Sequence, residues 1–188
     1  EHPEIEIKLH TGDTATTIDR IINEQEDIGI AAIPTQYQAK LAIQTITETP
    51  LVFIGPTKAA HIAENQSLFG ELDWGNVPMI LSETGLARER ADRWFMDKNI
   101  KPNIYAQVAG NEAIVSMVSL GFGIGLVPKL VVDNSPLKER INILQISPAL
   151  EPFAIGICIL KRKMSNPLIK AFWELARTSF AEEAGIAI

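Results

Sequence analysis

Hydrophobic positions along the chain switch between a two-residue and a helical period. Residues 4–9, EIEIKL, alternate charged and apolar side chains, which predicts a half-buried strand. A TGD turn follows, and TATTIDRIINE then places Ile18, Ile21 and Ile22 at helical spacing, with Asp13 or Thr14 as the natural N-cap. DIGIAAIP is almost wholly apolar and closes on Pro34, which predicts a buried strand. Strand, helix and buried strand together predict one βαβ unit, its parallel pair covered on both faces. LAIQTITETP and LVFIGP predict two further strands broken at Pro50. VPMILSE leads into the helix LARERADRWFMDKN, on which Leu86, Ala87, Ala91, Trp94 and Phe95 share a face. NIYAQVAG and NEAIVSMVSLG repeat the step from strand to helix, with Asn111 as N-cap and Glu112 favourable in the first turn. That second helix is apolar nearly all round, which predicts burial. INILQI and FAIGICIL predict later strands, and Asn166 and Pro167 open a closing helix that carries Leu168, Phe172, Trp173 and Ala176. The alternation predicts an α/β fold. Two groups of βα units separated by proline-broken strands predict two lobes.

The run SLGFGIGLVP puts glycine at 121, 123 and 125. A turn that cradles a dinucleotide pyrophosphate must follow a strand and open a helix, whose N-terminus holds the phosphates. Here the helix comes first and a strand follows. Gly121 therefore reads as a C-terminal cap, and the other two as residues that let the strand pack closely. Nucleotide binding is not expected.

Composition narrows the function classes. A chain of 188 residues with 46% hydrophobic and 21% charged residues is an ordinary globular sequence, long enough for a sizeable core. Seventeen basic against 23 acidic side chains give a formal charge of −6, which argues against nucleic-acid binding by this chain's own surface. Cys158 stands alone inside FAIGICIL and reads as a buried, inert thiol. No apolar run reaches the roughly 20 residues of a membrane span, and EHPEIEIKLH does not read as a signal peptide. The expectation is a cytoplasmic protein with no membrane partner. His2, His10 and His61 are scattered, so no metal site is expected. There is no G-x-S-x-G elbow, and Glu4 and Glu6 read as solvated charges rather than an acid–base pair. No catalytic residue and no cofactor emerge; the chain does not read as an enzyme.

A small-ligand site is better supported. In α/β folds ligands sit beyond the carboxyl ends of strands, where helix N-termini point. Three such corners are Thr11-Gly12-Asp13-Thr14, Ser82-Glu83-Thr84-Gly85 and Ala109-Gly110-Asn111. Plain N-capping accounts for Asp13 and Asn111 equally well. Arg88 and Arg90 lie in the opening turns of a helix, where a cation opposes the helix dipole. An anionic ligand would reverse that penalty, and arginine can clasp a carboxylate with two hydrogen bonds. Pairing of Arg88 with Asp92, and of Glu89 with Arg93, at i,i+4 is the competing explanation.

Three stretches in order, HPEIEIKLHTGD…IDRIINEQEDIGIAAIP, the apolar helix running into SLGFGIGLVP, and NPLIKAFWELA, resemble the effector-binding domain of LysR-type transcriptional regulators. The resemblance spans nearly the whole chain. It implies a periplasmic-binding-protein-like type 2 fold, two Rossmann-like lobes joined by crossing strands. Residues 1–48 and 153–188 would form lobe I and residues 49–152 lobe II. It also implies that the family's first strand–helix unit, its linker helix and its DNA-binding helix-turn-helix lie outside this sequence. A small carboxylate effector would sit between the lobes near Thr11, Asp13, Thr14, Ser82, Thr84, Arg88, Arg90, Gly110 and Asn111. DNA would be bound only through the helix-turn-helix, in a homodimer or, for the longer protein, a homotetramer. Within the family, IYAQVAGNEAIVSMVSLGFGIGLVP, WFMDKNIKPNIYA and PLIKAFW are most similar to the branch that controls isoleucine and valine synthesis. That branch implies 2-acetolactate or 2-aceto-2-hydroxybutyrate as effector. A free-standing solute-binding protein of the same fold is the alternative.

Overall fold

The computed structural model describes residues 5–10, 14–33, 39–57 and 72–183, and of residues 14, 15 and 178–183 the backbone alone. Two sheets divide it. The first has the order β1-β8-β2, with β1 at Gly29–Ala32, β2 at Leu41–Thr49 and β8 at Phe153–Leu160. Both outer strands run antiparallel to β8. Successive residues of β8 point to opposite faces, and both faces are covered. Cys158 and Leu160 meet Ile18, Ile21 and Ile22 of α1 (Thr14–Ile22). Ile157 and Ile159 meet Ile169, Trp173 and Ala176 of α5 (Pro167–Glu183). That double coverage is why FAIGICIL is apolar throughout. Asn166 Oδ1 accepts the Leu168 N–H at 2.9 Å, so the expected cap of α5 is present.

The second sheet has the order β5-β4-β6-β3-β7, with β3 at Leu51–Pro56, β4 at Pro78–Ser82, β5 at Asn103–Val108, β6 at Ile124–Pro128 and β7 at Ile141–Ile143. β4 runs parallel to β5 and β6, while β3 is antiparallel to β6 and β7. On one face Met79, Leu81, Ile124, Leu126 and Phe53 pack against Trp94 and Phe95 of α2 (Leu86–Asp97). Phe53, Trp74, Trp94 and Phe95 form an aromatic cluster with ring centroids 4.8 to 6.1 Å apart. On the other face Ile54, Ile80 and Val127 pack against Ile114, Val115 and Val118 of α3 (Asn111–Ser119). A short helix, α4 (Lys129–Asp133), follows β6 directly.

The glycine run is structural, as its order implies. Gly121 has φ 88° and donates to Val118 O at 2.9 Å, while Phe122 N donates to Met117 O at 3.2 Å. This double return closes α3 as a Schellman motif. A Cβ on Gly125 would lie 2.5 Å from Ile114 Cγ2, so β6 approaches α3 too closely for any side chain there.

Four expectations need correction. Residues 5–10 carry no strand hydrogen-bonding, and Ile7 and Leu9 are 75% and 81% exposed, because no neighbouring strand pairs with them among the described residues. The expected parallel pair is accordingly absent, and β1 pairs antiparallel with β8 instead. α3 is buried along one face only, with Glu112, Ala113 and Ser116 exposed, because only that side meets the sheet. On α5, Ile169 joins Trp173 and Ala176 at the sheet, leaving Leu168 and Phe172 56% and 38% exposed.

Candidate functional site

The three mutually parallel strands β4, β5 and β6 end together, and their carboxyl ends open on a trough of about 1920 Å³ between the two sheets. Ser82 closes β4, Ala109 follows β5 and Pro128 closes β6; all three line the trough. From the first sheet, Gly29 to Ala32, Phe153 and Ile155 line the opposite wall. Two helices begin at this trough. Gly85 precedes α2 with φ 89°, and Gly110 precedes α3 with φ 90°; at neither does a side chain cap the helix. The missing Cβ is what permits those positive φ values. The first-turn N–H groups of both helices thus lack the usual side-chain acceptor. This is the arrangement in which an external anion or carbonyl is held.

Ser82, Thr84, Gly110 and Asn111 from the sequence reading are brought together here. Asn111 is the first helical residue rather than the cap, so its amide is not spent on its own helix. Thr11 and Asp13 lie outside the described residues, and of Thr14 only the backbone, at the start of α1, is described. His10 and Thr16, on either side of that stretch, both line the trough.

Neither arginine lines it. Arg88 Nε donates to Asp92 Oδ1 at 2.9 Å, Nη1 donates to Ser82 O at 3.0 Å, and the guanidinium also meets Gln107 Oε1. The i,i+4 explanation therefore describes Arg88. Arg90 Nη1 donates to Glu151 O at 2.6 Å, and its guanidinium lies 5.2 Å from the Phe153 ring centroid. Burial lowers the Arg90 pKa below its ordinary value, an effect opposed by the Glu151 carboxylate.

A charged cluster on the first-sheet wall has no signature in the sequence. Glu26 accepts hydrogen bonds from His10 Nδ1, 2.8 Å away, and from the Arg20 guanidinium. The hydrogen bonds from His10 and then Arg20 hold the Glu26 pKa below its ordinary 4.5. All three residues line the trough. The contact depends on a chain reversal after α1, which spacing alone does not show. In the second lobe Glu112 also faces the trough from the first turn of α3. Its carboxylate competes with any bound anion for that helix terminus.

Among the described residues no helix is long and apolar enough to cross a membrane, and no three His, Cys, Asp or Glu side chains converge as metal ligands. The pattern of the LysR substrate binding domain matches residues 1–181. The chain belongs to the LysR family. This LysR domain is 38% identical over 178 residues to the transcriptional activator IlvY of Salmonella typhimurium, covering 93% of the chain and 60% of that relative. The same figures hold for the transcriptional regulator IlvY of Escherichia coli K12. The chain thus spans about 60% of the length of these relatives, which are named as regulators of transcription rather than enzymes. Among solved structures, the effector-binding domain of QuiR in complex with shikimate superposes with a TM-score of 0.74 at 25% identity, covering 96% of the chain and 84% of QuiR's. The regulatory domain of CcmR from Synechocystis, in complex with 2-PG, gives 0.77 at 19% identity over 95% and 85%. The fold is the two-lobed, periplasmic-binding-protein-like type 2 architecture.

Proposed function

We propose that this LysR domain senses a small hydroxylated oxo-acid, 2-acetolactate or 2-aceto-2-hydroxybutyrate, held between its lobes to control genes of isoleucine and valine synthesis. The observation that carries the reading is the convergence of two glycine-started helix termini without side-chain caps on a trough that also holds Ser82, Thr84 and Asn111. A carboxylate accepts hydrogen bonds from helix N–H groups, each terminus contributing about 0.3–1 kcal/mol when exposed and more when partly buried. The hydroxyl and ketone match the side chains of Ser82, Thr84 and Asn111. Thr11, Asp13 and Thr14 are included in the proposal as effector-binding residues on the strength of the family resemblance alone. Arg88 and Arg90 take no part in holding the effector, because Arg88 is engaged by Asp92 and Gln107 and Arg90 by the Glu151 carbonyl. The identity to IlvY supports the pathway, and the shikimate bound by QuiR supports a small acid as the ligand class.

The trough is far larger than such an acid. Ile30, Leu168, Phe172 and Leu175 form an exposed apolar wall along it, which suits the packing of the family's first strand–helix unit. Effector binding would favour one lobe arrangement over another, and only that difference in affinity can shift the equilibrium. In a homodimer, or a homotetramer of the longer protein, the shift would re-space helix-turn-helix domains on DNA. Calorimetric titration with 2-acetolactate tests the reading through Asn111→Ala. Because Asn111 does not cap α3, the melting temperature should hold while affinity falls about two- to tenfold, the worth of one lost neutral hydrogen bond. Unchanged affinity contradicts the assignment.

A further inference from the structure

Two crossings join the lobes: Thr49 to Leu51 between β2 and β3, and residues 144–152 between β7 and β8. The longer crossing is fastened to one helix. Along α2 and its C-cap, Arg90, Trp94 and Lys98 recur every four residues and so form a single stripe. Each donates to a backbone carbonyl of the crossing. Arg90 Nη1 reaches Glu151 O at 2.6 Å, Trp94 Nε1 reaches Pro148 O at 2.9 Å, and Lys98 Nζ reaches Ser147 O at 3.1 Å. The segment thus runs antiparallel to the helix, and Leu150 beneath it is buried in the core that holds Trp94. Its downstream end enters β8 at Phe153, whose ring lies under Arg90 and also lines the trough.

The N-terminal end of α2 is at the site. Ser82, Thr84, Leu86 and Ala87 line the trough, so one helix of 12 residues, about 18 Å long, touches both the ligand position and the interlobe crossing. A packed helix moves as a rigid element, so a shift at its first turn is carried to all three donors together. The shorter crossing is held differently, by α4: Lys129 N donates to Pro50 O at 2.8 Å and Leu130 N donates to Thr49 Oγ1 at 3.1 Å.

We infer that the Arg90–Trp94–Lys98 stripe is the coupling device of this domain, through which occupancy at the N-terminus of α2 sets the geometry of residues 147–151 and hence the lobe arrangement. Arg90 is in this account a positioning residue for the hinge. The inference rests on the effector reading above. It is specific, because the carbonyls are fixed by the backbone whereas the three donors can be removed one at a time.

Hydrogen exchange followed by mass spectrometry, with and without 2-acetolactate, tests it in the parent, in Lys98→Met and in Arg90→Met/Lys98→Met. In the parent, ligand should slow exchange at the starts of α2 and α3 and at residues 144–153, the crossing by about fivefold or more, the lower end of typical coupling between sites. In the double variant the helix starts should still be protected, with protection of the crossing reduced to under about twofold. Lys98→Met, at a half-buried position on the helix C-cap, should give an intermediate result without loss of folding. Equal protection of the crossing in parent and double variant overturns the coupling role alone. Protection of the helix starts without the crossing in the parent does the same. Absence of ligand protection at both helix starts in the parent overturns the effector reading, and the coupling role with it.

Discussion

Substituting Gly125 with alanine places a methyl group where β6 and α3 are already in contact. The new Cβ would stand 2.5 Å from Ile114 Cγ2, 2.9 Å from Val118 Cγ2 and 3.4 Å from Ile54 Cγ1. Carbon atoms pack comfortably at roughly 3.5–4.0 Å, so α3 must retreat by about 1 Å or its side chains must leave their rotamers. Overfilling a close-packed interior in this way costs about 1–3 kcal/mol. For a chain of this size each kcal/mol lowers the melting temperature by about 2–4 °C, giving an expected loss of about 2–12 °C. Thermal and urea unfolding of Gly125→Ala measure it. Ile114→Ala, which removes the nearest methyl, should itself cost about 2–5 kcal/mol. The double variant should then be more stable than the sum of the single losses by about 1 kcal/mol, since the two changes share one space. A Gly125→Ala protein as stable as its parent, or strictly additive losses, would refute the packing role given to this glycine.

Two further outcomes concern the site and one the core. Glu112→Gln removes a carboxylate that competes for the start of α3, so affinity for 2-acetolactate in calorimetry should rise about two- to fivefold, the equivalent of one exposed charge at a helix terminus; a fall would show that Glu112 contacts the ligand favourably. Glu26 is held below its ordinary 4.5 in the folded chain, so its stabilising contribution is full above that value and is lost as pH falls through the lowered one. The parent should therefore lose melting temperature more steeply than Glu26→Gln on acidification below 4.5, and parallel curves would remove the His10–Glu26–Arg20 cluster from the account. Cys158 is fully buried and burial raises its thiol pKa, so Ellman's reagent should label it only at the rate of unfolding, with fast labelling of the folded chain as the contrary result.

Periodicity carried most of the second lobe, because β4, α2, β5, α3 and β6 are local steps in which each pattern meets its neighbour in sequence. It failed where the partner is remote. EIEIKL has the alternation of a strand, but alternation does not supply the ladder partner that makes one. On α5, Leu168, Phe172 and Leu175 form one helical stripe and Ile169, Trp173 and Ala176 another, and only the position of β8 decides which is buried. The glycine run was legible because a cap and a close approach depend on the order of helix and strand. Of the candidate site, Ser82, Thr84, Gly110 and Asn111 were legible as strand-to-helix corners. The Arg88–Asp92 pair was one of two readings that the spacing offered, but the choice between them and the direction of Arg90 were not legible, since they depend on Gln107 and on the crossing segment. The His10–Glu26–Arg20 cluster was invisible for the same reason.

The central claim is that a small oxo-acid is held by the amide groups that begin α2 and α3. Titration of the isotopically labelled protein with 2-acetolactate, followed by amide nuclear magnetic resonance, reads those groups directly. The account predicts saturable shifts at Leu86 to Arg88 and at Asn111 to Ala113, together and with one dissociation constant. Shifts confined to other surfaces, or none at saturating ligand, would contradict it.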